Sequence, residues 1–340
     1  MAGIVISKSS ELVNSLYGKS QEPIFALIQD QVEAFEKERS ALSDIYVMEK
    51  TDKYAEKFIT ETSLPNFTPV GEAGAYPHNE FREGYSKVIE PDTWKNSFEV
   101  TMEMVEDANI GKIKQRAGAF TLSYNRTREL FGAQMLMGGL NSNTAITNGG
   151  VTKNYSTACA DGQPMFSTAH PQLMGSDTQS NLFSSAFSYD ALCYMQEAMQ
   201  NYTDDDGHLL GVSPDTIIIP NDAMLKKAVF SAIGAEGLPD TANHSMNFQC
   251  GLWNVIIWPY LNRFIPANAQ SKPWLLMDSE FNKAYYGAVW LDRVPLSVRS
   301  EIAPNDNNIF KGRARYAAGF NNWRPFAMSF EGSGGTVLGE

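Results

Sequence analysis

Cysteine is scarce in this chain: Cys159, Cys193 and Cys250 are the only three in 340 residues. An odd number at wide spacing argues against a disulfide framework and for a reducing compartment. Long apolar runs are also missing. Nothing approaches the ~18 apolar residues of a membrane-spanning helix. The opening MAGIVISKSSELVNSLYGKS has too short an apolar core for a secretory signal, so the chain is expected to be made in a cytoplasm. There is no dense Lys/Arg block and the formal net charge is −12. Phosphate neutralisation along a nucleic acid is therefore not the chain's main business. The glycine-rich signatures of dinucleotide and nucleotide triphosphate sites are absent, which leaves no phosphate cradle. His78, His170, His208 and His244 are scattered, and no two Cys or His residues fall at zinc-site spacing. DDDGHLLG has the flavour of a calcium loop, but Tyr202 stands where the first ligating carboxylate belongs. No metal or cofactor is expected.

What is present is ordinary for a globular protein: 43% apolar and 19% charged residues, with 26 Gly and 16 Pro for turns and extended arms. The length suits one elaborate unit or two interlocked lobes. Residues 1–20 read as a loose arm. EPIFALIQDQVEAFEKERSALSDIY, 22–46, predicts an amphipathic helix with Pro23 in its first turn and Ile24, Ile28, Phe35, Leu42 and Tyr46 on one side. LPNFTPVGEAGAYPHNEFREG then reads as an exposed, turn-laden tip.

TWKNSFEVTMEMVED alternates with period two, Trp94, Phe98, Val100, Met102 and Met104 on one face and Lys95, Ser97, Glu99, Thr101 and Glu103 on the other. The simplest picture for residues 47–108 is a long β-hairpin with an apolar stripe. An isolated hairpin is marginal in water, and little nearby in sequence covers this one. Its stripe is expected to lie on identical neighbouring subunits.

Asp107 is a plausible N-cap for a long helix ending at Gly138-Gly139. Ile113, Ala117, Phe120, Tyr124, Phe131 and Met135 form its narrow apolar stripe, and it should run about 40 Å. Lys112, Arg116 and Arg126 flank the stripe, as a solvated face or as partners for an acidic neighbour. Beyond a polar stretch, helices at SYDALCYMQEAMQNY and DAMLKKAVFSAI alternate with strands at DTIIIP and WNVIIWPYL. This alternation predicts a mixed sheet flanked by helices. WLLMD, AYYGAVWL and VPLSVRS add strand. The chain closes with a long strand broken near Gly319 and a short return strand.

DGQPMFSTAHP, 161–171, offers a carboxylate, hydroxyls and a histidine beside Cys159. A cysteine hydrolase needs its thiolate beside an imidazole, and nothing around Cys159 predicts a low thiol pKa. The structural reading has Phe166–Ala169 as a short strand and His170 bonding to backbone at a corner before Pro171. In NNWRPFAMSF, Arg324 beside Trp323 reads as a structural clamp at a strand bend.

FEVTMEMVEDANIGKI, GQPMFSTAHPQL, SNLFSSAFSYDALCYMQEAMQNYTDDDGHLLGVSPDTIIIP, CGLWNVIIWPYL and GRARYAAGFNNWRPF, in this order, resemble the major capsid proteins of tailed bacteriophages with the HK97-type fold. The likeness covers roughly residues 85–330 and is nearest to the major head subunit of Mu-like phages. It implies an α+β HK97-like capsid fold. Residues 1–46 would be an N-terminal arm and helix, and 47–108 the extended loop lying over a neighbour. Residues 109–169 and 281–322 would form the peripheral domain with its spine helix, and 170–280 with 323–340 the axial domain. The resemblance also implies a non-enzymatic shell subunit of the virion that assembles into pentamers and hexamers around double-stranded DNA. Separate scaffolding, portal and decoration proteins would be its partners, DNA would be contacted weakly, and no membrane would be involved. Trp94, Phe98, Val100, Met102, Lys112, Arg116, Arg126, Trp323 and Arg324 are the candidate subunit-interface residues. The same fold also serves encapsulins, cellular enzyme containers, which stand as the alternative beside a hydrolase built on Cys159 and His170.

Overall fold

The computed structural model describes residues 28, 30–32, 34–35, 40–61, 66–72, 74–78, 83–107, 110–173, 177–204, 207–234 and 247–338. The first half contains α1 (Leu42–Ile45), β1 (Val47–Lys50), β2 (Glu56–Glu61), β3 (Glu83–Ile89), β4 (Asp92–Val100), α2 (Met102–Glu106), α3 (Ile110–Gly138), β5 (Asn143–Asn148) and β6 (Val151–Ser156). After it come β7 (His170–Pro171), β8 (Thr178–Gln179), β9 (Leu182–Phe183), α4 (Tyr189–Gln200), β10 (Thr216–Ile219), α5 (Ala223–Ile233), β11 (Asn254–Ile257) and β12 (Trp274–Met277). The chain finishes with α6 (Ser279–Tyr285), β13 (Ala288–Ile302), β14 (Asn308–Phe320) and β15 (Phe326–Ser329).

Two sheets organise these elements. One has the order β1-β13-β14-β4, with β1 parallel to β13 and the other pairs antiparallel. The 29-residue α3 lies against one face of it. Ile113, Ala117, Phe120, Phe131 and Met135 are buried as the periodicity requires. The other sheet has the order β11-β10-β12-β15-β9. β10 runs parallel to β11 and antiparallel to β12, which makes it the expected mixed sheet. Its central strands, TIII and WLLM, are buried at every position, as β-branched and apolar runs covered on both faces must be. Leu192 and Met195 of α4 and Leu225 and Val229 of α5 pack in the same core. Ser188 caps α4 by accepting from the Ala191 N–H, and Asp222 caps α5 by accepting from Met224 and Leu225.

The structure redraws the first third of the chain. β4 does not pair within residues 47–91. It forms the edge of the four-stranded sheet, in register with β14 from Asp92↔Tyr316 to Val100↔Asn308. The two-stranded hairpin is β2 with β3, from Glu56↔Ile89 to Glu61↔Glu83. The alternation after Trp94 stops at Val100. Met102 and Met104 belong to α2, whose Met104 N–H bonds to Thr101 Oγ1. Asp107 closes α2 by donating its N–H to Glu103 O, and residues 108–109 lie outside the described residues, so a cap on α3 is not seen there.

The helix expected over 22–46 is interrupted. Residues 28–35 are helical where described, but Ser40 and Ala41 are not, and α1 is a separate turn leading into extended Tyr46. Ile28 is buried with Val100, Ile113, Ala117, Phe120 and Phe310, so this helix lies on its own α3. β14 runs unbroken through Gly319, where a side chain would meet Ile89 Cδ1 at 2.7 Å. In AYYGAVWL, Ala284 and Tyr285 end α6 and the strand begins at Ala288.

Candidate functional site

The stretch singled out in the sequence forms a buried polar knot where the chain passes between the two sheets. His170 is fully buried, with Nδ1 2.7 Å from Asp161 Oδ2 and Nε2 3.1 Å from Asn181 Oδ1. Its ring stacks on Trp323 at 4.2 Å, 10° from parallel. Asn181 is also fully buried. It accepts from the Ser167 N–H at 2.9 Å and donates to Met165 O at 2.8 Å and Phe326 O at 3.1 Å. Arg324 lies over the Trp323 ring at 5.0 Å and donates from Nε to Thr203 O at 3.1 Å, a clamp at the bend between β14 and β15. Two local expectations are corrected. Phe166–Ala169 is not a strand, and His170 bonds to side chains, because Asn181 already occupies the backbone groups at this corner.

This geometry removes the hydrolase. Cys159 is buried with its Sγ 3.4 Å from Met165 Sδ, and both nitrogens of His170 have other partners. Burial, reinforced by the Asp161 charge, pushes the thiol well above its ordinary range, the opposite of an activated nucleophile. Lys87 of β3 donates to Ser156 Oγ at 2.8 Å and Ala158 O at 2.6 Å, tying the hairpin's base to this region. Burial lowers its pKa. Among the described residues no group of His, Cys, Asp and Glu could hold a metal ion.

The candidate interface residues divide. Val100 is buried, Trp94 and Phe98 are half-buried, and all three pack within their own chain. Trp94 stacks on Tyr316 and meets Phe131 edge-on at 5.2 Å, while Phe98 stacks on Phe310 at 4.9 Å. Within the subunit, β14 and α3 thus cover much of the stripe. Met102 is half-buried and its N–H bonds to Asn307 Oδ1. Lys112 and Arg126 are exposed on α3, and exposed Arg116 donates to Glu99 O. Trp323 is buried in the knot and Arg324 half-buried over it.

Sequence reasoning missed a second buried polar cluster on α3. Arg128 Nη2 lies 3.3 Å from Asp292 Oδ2, with its guanidinium over Trp290 at 5.2 Å. Glu129 is buried and accepts from Ser40 Oγ and from Trp258 Nε1, each at 2.6 Å. Burial raises its pKa. Two charged residues inside an otherwise apolar helix face were the available signal.

A family model described as phage capsid protein matches residues 84–329, a span that includes α3 and most of both sheets. No curated protein matches the sequence. Among solved structures, the capsid of an empty GTA particle is 13% identical with a TM-score of 0.51, covering 86% of this chain and 90% of that one. The capsid of cyanophage P-SCSP1u is 8% identical with a TM-score of 0.50, covering 85% and 87%. At such identities the likeness speaks to fold, and the fold is the HK97-like α+β architecture that the ordered sequence stretches imply. With the family model spanning well over half of its length, the chain belongs to the phage capsid protein family.

Proposed function

We propose that this chain is the major capsid protein of a tailed phage, acting in the virion by self-assembly and not by catalysis. The reading has copies forming pentamers and hexamers that close an icosahedral head around double-stranded DNA. The observation that carries it is the capsid family match, which takes in α3, the mixed sheet and all of the four-stranded sheet except β1. In this reading residues 109–169 and 281–322 form the peripheral domain, around α3, β13 and β14. Residues 170–280 and 323–340 form the axial domain, around the mixed sheet. Residues 1–46 are the arm, and within 47–108 the extended loop is the β2–β3 excursion, since β1 and β4 belong to the sheet of β13 and β14.

The exposed apolar surface on the β2–β3 excursion supports intersubunit packing. Phe67 and Tyr76 are fully exposed on it, and Val70 and Val88 are about half exposed. Large apolar groups in that state are stabilised by burial against a partner, about 1.5–3 kcal/mol for each side chain fully covered. The net charge of −12 suits a container that holds DNA without adhering to it. Scaffolding, portal and decoration proteins would be separate partners, and assembly would occur in the bacterial host cytoplasm. The phage family match favours this reading over an encapsulin. Electron microscopy of the purified full chain tests it: capsomers or closed particles are expected, and a chain that stays monomeric at every concentration overturns it.

A further inference from the structure

The face of the four-stranded sheet turned away from α3 carries an unusual charge pattern for so acidic a chain. Phe98, Phe310 and Gly312 point toward α3, where a Gly312 side chain would meet Phe120 Cζ at 2.3 Å. The alternation of the strands therefore sends Lys95, Lys311 and Arg313 to the opposite face, with Arg299 beside them. All four are exposed. The register sets Lys95 directly across from Arg313, and Arg299 directly across from Lys311. Of these four, Lys311 alone has an ion-pair partner among the described residues, Glu301. Lys95, Arg299, Lys311 and Arg313, with the single carboxylate of Glu301, line a concavity of about 760 Å³.

Like charges directly opposite on paired strands are destabilising. Glu301 offsets the Arg299 and Lys311 pair, but Lys95 and Arg313 face each other with no ion-pair partner among the described residues, on a chain of net charge −12. An anionic partner turns that repulsion into attraction. Resting on the shell-subunit reading above, we propose that this cationic face is a docking surface for a carboxylate-bearing surface of a second copy of the chain. The acidic surplus of the chain supplies that surface in every copy. The contact sets one patch against a different one, because two cationic faces meeting directly would repel. Repeated head-to-tail, a contact of this kind closes rings when its rotation closes.

The test compares the full wild-type chain with the Lys95→Gln, Arg313→Gln double variant by sedimentation, electron microscopy and thermal unfolding, from about 0.05 to 0.5 M salt. The variant is expected to unfold at the same temperature or higher, since a repulsive pair is relieved. It should need about tenfold more protein to assemble at low salt. Wild-type assembly should weaken with salt more steeply than the variant's. Wild-type-like assembly of the variant overturns the assignment while leaving the shell reading intact, whereas a monomeric wild-type chain overturns both. Unchanged assembly with reduced binding of duplex DNA assigns the face to nucleic acid and overturns the proposal. So does an assembly loss matched by an equal loss of folding stability.

Discussion

Trp94 lies flat against Tyr316, with ring centroids 5.1 Å apart and planes 6° from parallel. The indole Nε1 also donates to the Tyr316 carbonyl oxygen at 3.3 Å, across 222 positions of sequence. This pair fixes the edge strand β4 to β14 and places the apolar stripe of β4 inside the subunit. Replacing both Trp94 and Phe98 with Ser is therefore expected to destabilise the isolated subunit, by about 2 kcal/mol for each half-buried ring. Urea unfolding of the dissociated chain measures this. Undiminished subunit stability with failed assembly would show that the stripe serves neighbours after all.

Leu42 reaches into the space above Gly132. A β-carbon at Gly132 would meet Leu42 Cδ2 at 2.3 Å, with the Trp258 and Trp290 rings at 3.4 and 3.5 Å from the same point, and Leu42 itself is buried. Gly132→Ala should cost about 1–3 kcal/mol by overpacking, despite its better helix propensity. Adding Leu42→Ala should recover part of that loss, so the two changes would be less than additive in a double-mutant cycle.

Glu129 makes stability depend on pH. Burial holds its folded-state pKa above the unfolded value, against the opposing bonds from Ser40 and Trp258 and the charge of Arg128. The folded protein thus keeps a proton that the unfolded chain releases. Stability from this group is lost as pH rises from the ordinary glutamate range through the folded pKa. Glu129→Gln keeps the shape and should flatten that fall. Unfolding midpoints of both proteins from about pH 5 to pH 8 report it, and parallel curves would refute the assignment.

Asn181 holds the crossing together. Asn181→Leu keeps the volume but strands the Ser167 N–H, the Met165 and Phe326 carbonyls and one nitrogen of His170. A loss of about 3 kcal/mol or more is expected, read as a lower thermal midpoint. A variant as stable as wild type would mean that water replaces the amide.

Cys159 should resist thiol reagents in the native protein and react only on unfolding, since it is buried and its pKa is raised. Cys193 and Cys250 are half-buried and should label first. Rapid native labelling of Cys159 would contradict the packing described around it.

The two orders of structure differed in how far they could be read ahead. α3, α4, α5, β10 and β12 rest on local pattern, 3.6-residue stripes or short apolar runs between turn signals, and all five lie where that pattern puts them. The partner of β4 was invisible for the opposite reason. An alternating strand states which face it buries and says nothing of which strand, 200 or so residues away, supplies the other half of the ladder. His170 stood out by residue type, yet its partner Asn181 had no marking in sequence. A buried amide is chosen by the carbonyls that converge on it in space.

Periodicity alone determined a long helix and a mixed sheet flanked by helices, and the order of the segments carried the capsid resemblance with the α+β fold it implies. Only the tertiary structure decided that β4 belongs to the subunit's own sheet, that Cys159 and His170 bond to other partners, and that four cations share one face. Periodicity is a property of neighbours along the chain, whereas pairing, burial of charge and surface potential arise from contacts between segments that the sequence keeps apart.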